Sequence, residues 1–417
     1  MITDKTKILF LIGIFTFLFA ASVELKADMC SEEVIFDGAE NVVGMGIDST
    51  GHYWIITSPV EGYYRLIIDG KQSDRFKAIK MLRFSNDGQR WVCFVKDNVN
   101  WNIMTNDTLI QLDCDSVLNI GFSPNSEVLY YAYKIGTQVF YKIGNSDVIR
   151  SIAGTGEMYV SWEAKRYAIG EMRGDRKICK LQGWETPPYD EIRPLGFWND
   201  GEFLYVVKVG NYWEIYKGKE SISETYTHVT EAAMNIWGTA AGFLARRSSN
   251  DAVGILLSDE YYEPLISKSY ESVSGLAINP MIDLIAFKAT YNNTNLIVLS
   301  NTEFSGGEET GNPHWTYDGS ELCFSGCSSD CFINIDGRKY NLNQMFERID
   351  DFVVKPRSKT IAYASGSNLV VRDISSGSIY AGKMMDYVTK PIYDWRKSAY
   401  VSLGRIANRV YLLQCAP

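Results

Sequence analysis

Phe84-Ser85-Asn86-Asp87-Gly88, followed at once by Trp91-Val92-Cys93-Phe94-Val95, is an apolar segment that ends in a polar turn and re-enters as a strand. The same phrase returns at Phe122-Ser123-Pro124-Asn125-Ser126 before Val128-Leu129-Tyr130-Tyr131-Ala132. It returns again at Phe197-Trp198-Asn199-Asp200-Gly201 before Phe203-Leu204-Tyr205-Val206-Val207, and at Trp315-Thr316-Tyr317-Asp318-Gly319 before Leu322-Cys323-Phe324. Anchored on the turn, ten repeats fall near Gly51, Gly88, Ser126, Lys165, Gly201, Gly242, Ile282, Gly319, Ser358 and Lys397, about 38 residues apart. A beat of this length marks a solenoid, an array or a propeller.

The second repeat shows the whole unit: Ala78–Phe84, Trp91–Lys96, Asn100–Thr105 and Thr108–Asp113 are four short apolar stretches separated by Asn, Asp, Gly and Ser. The third repeats them as Val117–Phe122, Val128–Tyr133, Gln138–Ile143 and Asp147–Ile152. Such runs bounded by turn formers read as strands joined by hairpins, and helical periodicity is confined to a short stretch near Asn343–Arg348. Four-stranded antiparallel units of this size are blades of a β-propeller, packed against neighbours on both faces. Calling the strands of a unit a to d, the last repeat has only Pro391–Tyr393, Ala399–Leu403 and Arg409–Leu413, while a spare strand, Glu33–Asp37, precedes the first a strand, Val42–Ile47. The expectation is an all-β propeller of about ten four-stranded blades, closed by the N-terminal strand joining the last blade. A pair of five-bladed propellers divided near residues 220–235 is the alternative.

Composition agrees with strands: 13% of the 417 residues are aromatic, among 46% hydrophobic. Residues 1–27 carry Lys5 and Lys7 ahead of an apolar run from Ile8 to Ala21, then small residues. This is the pattern of a secretory signal peptide, too short to span a bilayer, which takes roughly 20 residues. Residues 28–417 then form the propeller domain, exported to the periplasm or the exterior, with no membrane span once the signal is removed. The chain carries a net charge of −9, which argues against nucleic acid as a partner because phosphate neutralisation dominates that binding. All eight cysteines lie after the apolar run, where oxidation is permitted. Cys30 and Cys415 flank the strands that would close the ring and are expected to form a disulfide, whose chain-entropy contribution grows with the length of loop closed. Cys323 and Cys331 would face each other if a hairpin turned at Cys327, and are the expected second pair. With only three histidines in the chain, zinc at this cluster has weak support; no cofactor or metal is expected.

The turn-then-strand phrase is similar to the repeats of TolB-type and prolyl-oligopeptidase-type propellers. The residues that carry it are Ser85-Asn86-Asp87-Gly88 with Asn102-Ile103, Ser123-Pro124-Asn125 with Val139-Phe140-Tyr141, Asn199-Asp200-Gly201 with Glu214-Ile215-Tyr216, and Asp318-Gly319 with Phe332-Ile333. Turns at Lys165, Gly242, Ile282 and Lys397 lack the Asp-Gly pair. The resemblance implies an extracytoplasmic binding or scaffolding propeller and transfers no catalytic residue.

No G-x-S-x-G elbow, P-loop or dinucleotide fingerprint occurs. Ser85-Asn86-Asp87-Gly88-Gln89-Arg90-Trp91 falls one residue short of a sialidase-type Asp-box, and His314 beside Trp315 reads as structural. Asp48, Asp283 and Asp350 are strand-end acids that a glycosidase would place across a central pocket. The expected binding surface is the edge of the b–c and d–a loops, where Trp101, Arg173, Arg176, Tyr212, Trp213 and Tyr291 fall, because aromatic and Arg side chains are common anchors. The sequence therefore reads as a non-catalytic module for a protein or polysaccharide partner. Two alternatives stand beside it: a glycan-active hydrolase or lyase at the ring axis, and a subunit of an envelope or surface assembly.

Overall fold

The computed structural model describes residues 30–261, 263–300, 302–342, 349 and 351–416. Within them every regular element is a strand, and the strands fall into ten antiparallel units in chain order, the seventh and eighth joined into one sheet by a parallel pairing of Gly307 with Cys327. This is a β-propeller. In blade two the strands are Ala78–Phe84, Trp91–Lys96, Trp101–Thr105 and Leu109–Leu112. In blade three they are Ser116–Phe122, Leu129–Ile135, Gln138–Ile143 and Ile149–Ser151. The short helical stretch read near 343–348 and the signal peptide expected over residues 1–27 lie outside the described residues.

Why the strands read as alternating yet almost wholly apolar is explained by where the two faces go. In Trp91–Lys96, Val92 and Phe94 belong to the core shared with blade three, whereas Cys93 and Val95 belong to the core shared with blade one. Both faces of the blade are buried, so period-2 alternation selects between two neighbours rather than between core and water. One such core joins each consecutive pair of blades, and a last one joins blade ten to blade one through Val401, Leu403 and Val410 against Val42, Ile55 and Ile67. The succession of interfaces thus returns to its start. Blades five and six, on either side of residues 220–235, share the core around Trp213, Tyr226 and Phe243.

The N-terminal strand, Cys30–Asp37, pairs antiparallel with Arg409–Cys415 as the fourth strand of the last blade. Cys30 and Cys415 are directly opposite and disulfide-bonded, as their positions predict. The second pairing is different: Cys327 is bonded to Cys331, and Cys323 is a buried free thiol opposite Ile335. The reason is register. The hairpin turns over Ser328-Ser329-Asp330, centred two residues later than Cys327, so Cys327 and Cys331 face each other across its mouth.

Strand a is the inner strand, lying against strand a of the next blade through blades two to seven. In blades one to seven it carries a bulge at one recurring place, between Val42 and Gly44, Lys80 and Arg83, Val117 and Asn119, Gly154 and Met158, Pro194 and Gly196, Val229 and Glu231, and Ser274 and Ala277. In blades eight and ten the inner strand is interrupted there instead, as Glu309–Thr310 with His314–Trp315 and Tyr387–Val388 with Ile392–Asp394. A bulge adds local twist and bend, which the innermost strand needs where blades converge.

Strand d has a signature of its own, Ser or Thr followed three residues later by Phe or Tyr: Ser73/Phe76, Thr186/Tyr189, Ser223/Tyr226 and Ser267/Tyr270. The hydroxyl accepts from an amide of strand c (Leu66, Cys179, Ile215 or Gly254). The aromatic then pairs back with strand c and is buried. The side chain replaces one ladder bond where strand d departs, so no buried amide is left open.

Candidate functional site

The a–b turns are the most repetitive part of the chain and form its best-defined surface. In seven of the ten turns a hydrogen bond closes the turn from the amide of Gly51, Gly88, Ser126, Ala164, Gly201, Gly238 or Gly319 to the carbonyl three residues earlier, and each of these residues has positive φ. Where the sequence lacks Asp-Gly, the position anchored at Lys165 is occupied by Ala164 and that anchored at Gly242 by Gly238.

Successive turns are stitched to one another. Asn86 Nδ2 donates to the Pro124 carbonyl at 2.8 Å, and the Asn125 amide to the Trp162 carbonyl at 3.3 Å. Arg166 reaches the Gly201 carbonyl at 2.7 Å, and the Asn199 amide the Gly238 carbonyl at 2.9 Å. Thr239 donates to Asp283 at 3.3 Å, Asn279 to the Gly319 carbonyl at 2.9 Å, and the Arg357 amide to Glu321 at 2.7 Å. The Lys355 amide donates to the Tyr400 hydroxyl at 2.9 Å, Gly51 lies close against Asp394, and Thr50 against Gly88. The ten turns therefore make one collar.

The collar changes character along its length. In blades one to three its tips are Ser49, Thr50, Asn86, Asp87, Pro124 and Asn125. From blade six onward it carries Ile236, Trp237, Met281, Ile282, Tyr317 and Trp395, all 43–58% exposed. Trp237 stacks on Trp162 of blade four at 4.8 Å, passing over the blade-five turn, whose Trp198 is buried and donates to Asp259. Tyr317 stacks on Tyr393 at 5.9 Å across blade nine. Arg357, Arg396 and Lys397 are exposed on the last two turns. Single exposed apolar residues also occur at b–c tips, including Val60, Val99, Ile135 and Val209, but these stand on separate hairpins, and scattered apolar residues are ordinary.

Of the six residues expected to anchor a ligand, two are buried and four are exposed, on blades four, five and seven. Trp101 and Trp213 are buried, at 6% and 2% exposure, and are removed from the set: Trp101 packs in the core between blades two and three and Trp213 in that between five and six. Arg173 and Arg176 face each other across the blade-four hairpin but are engaged by Glu185 and Asp190. Tyr212 is exposed on blade five. Tyr291 is exposed on blade seven, where Lys268 Nζ lies 4.3 Å from its ring centre.

The expected acids are absorbed by turns. Asp48 accepts from the Thr50 and His52 amides, and Asp283 from Thr239 and Ser258; Asp350 lies outside the described residues. Carboxyls whose pKa departs from the ordinary range, including Asp87, Asp318 and Asp373, are held down because hydrogen bonds to their ionised form outweigh burial. His314 is pushed down to about 4, mainly by burial, with Lys390 adding to it; its ring meets Phe352 edge-on at 4.6 Å. Burial raises the Cys93 and Cys179 thiols to about 12, which leaves them protonated. Among the described residues no group of three or more His, Cys, Asp or Glu is placed to hold a metal ion, and no helix is long and apolar enough to cross a membrane.

No family model matches the chain, and no curated protein matches it in sequence. Among solved structures it is similar to the Dos1 propeller, at 10% identity over 81% of this chain and 92% of that one, with a TM-score of 0.41. It is similar to a eukaryotic initiation factor at 14% identity over 76% of this chain and 96% of that one, TM-score 0.45. It is also similar to TolB from Acinetobacter baumannii at 9% identity, covering 71% and 77%, TM-score 0.31. These are likenesses of fold, and the propeller assignment rests on the sheet order described above.

Proposed function

We propose that the chain is an exported, non-catalytic propeller, residues 28–417 forming a single domain, that docks a protein partner on the apolar part of the a–b collar. The observation that carries this reading is the exposure of Ile236, Trp237, Met281, Ile282 and Tyr317 on the turns of blades six, seven and eight, which touch one another. Contiguous apolar surface on a soluble domain is a mark of an interaction site, and Trp, Tyr and Met are enriched in interface cores. The two disulfides, Cys30–Cys415 and Cys327–Cys331, support an oxidising compartment and hence export.

The test is capture from the native envelope or culture fraction with the wild-type chain and with Trp237→Ser/Met281→Ser. One stoichiometric protein, retained at least tenfold less by the variant at equal folded concentration, is the expected result. Equal retention by both chains, or retention on polysaccharide alone, overturns the reading.

A further inference from the structure

The interface between blades seven and eight differs from its neighbours. Its apolar core, with Ala286, Ile297, Phe324 and Phe332, occupies only part of it. Toward the b–c and d–a edge, opposite the collar, strand a of blade eight is interrupted between Thr310 and His314. Beside that interruption blade seven turns a polar face: Ser272 and Ser274 on strand a lie opposite Thr290 and Lys288 on strand b, and Asn295 on strand c lies opposite Thr290. With Thr310 these residues line a cleft of about 160 Å³.

Two features mark this cleft as built for a ligand. Lys288 is the only charged residue in the lining. Its Nζ reaches the Thr310 carbonyl at 3.4 Å and forms no ion pair among the described residues. The polar groups are held in place: Ser272 donates to Thr290 at 3.0 Å, Thr290 to Asn295 Oδ1 at 3.3 Å, and Asn295 Nδ2 to the Glu308 carbonyl at 2.7 Å.

We propose that this cleft binds a small hydroxylated carboxylate of monosaccharide size, an acidic sugar unit, with its carboxylate on Lys288 and its hydroxyls on Ser272 and Ser274. One cation matches one negative charge, and the absence of carboxylates from the lining argues against a divalent cation, which takes oxygen ligands and favours carboxylates. The site goes beyond the collar reading and is independent of it.

Calorimetric titration of the full chain with D-galacturonate, D-galactose and acetate tests the proposal. Galacturonate should bind at least tenfold more tightly than either control. Lys288→Met should weaken it at least tenfold, and Ser274→Ala severalfold, whereas Trp237→Ser/Met281→Ser should leave it unchanged. Thermal melts establish that each variant is folded; Ser274, at the exposed rim, keeps the test open if Lys288→Met misfolds. No heat with galacturonate, equal binding of galactose or acetate, or wild-type affinity in both cleft variants overturns the proposal.

Discussion

At the scale of single residues, the chain places ordinary side chains under unusual constraints, and two of them yield measurable consequences. His314 has its pKa depressed to about 4 by burial between its strand and Phe352, with Lys390 and Asp351 as the nearby charges. The unfolded chain takes up this proton near the ordinary histidine value of about 6.5, so between there and about 4 it binds more protons than the native state. Stability should therefore fall as pH drops through that window, by about 3 kcal/mol from this group. Urea unfolding of wild type and His314→Gln at pH 7 and pH 4.5 checks it: the variant should lack that part of the loss. Ala164 holds φ 54° at the turn position that glycine takes in five blades. Relief of its strain outweighs the extra chain entropy of glycine, so Ala164→Gly should raise stability by about 0.5–1 kcal/mol, read as an upward shift in Tm.

At the scale of elements, the two disulfides do different work although both clasp facing strand residues. Cys30–Cys415 closes 385 residues and Cys327–Cys331 only four. In the chain-entropy model the first contributes about 6 kcal/mol and the second about 2. Cys30→Ser/Cys415→Ser should lower the denaturation midpoint clearly more than Cys327→Ser/Cys331→Ser. An equal loss in both would show that the long clasp acts on native packing rather than on the unfolded chain. The strands themselves were legible wherever turn formers bounded them: Ala78–Phe84, Trp91–Lys96 and Gln138–Ile143 fall where the sequence places them. The inner-strand bulges and the Ser/Thr-x-x-aromatic device of strand d were not, because a bulge leaves the apolar pattern nearly intact and the device shows only once strand c is beside it. The latter does leave a repeated spacing, at Ser73/Phe76 and Ser267/Tyr270 among others, that a search for d-strand repeats would find.

At the scale of the whole molecule, the last blade is completed only by the first strand, so blade ten and its cores on either side depend on Cys30–Asp37. Deleting residues 30–37 should unzip that blade: hydrogen exchange should accelerate first in Arg409–Cys415, which loses its outer partner, and then in Ala399–Ile406. Unchanged protection there would sink the dependence. The sequence by itself determined the propeller, the ten-beat repeat, the exchange of the terminal strand and its Cys30–Cys415 clasp, since periodicity and turn chemistry are local and the orphan strands have no other partner. Tertiary structure alone decided which cysteine faces Cys331, which aromatics are buried, and where apolar side chains collect. Trp213 and Trp237 are both tryptophans near strand ends, and only the packing of neighbouring blades makes one core and leaves the other exposed. Burial is a property of what arrives from elsewhere in the chain, and that is written in no single repeat.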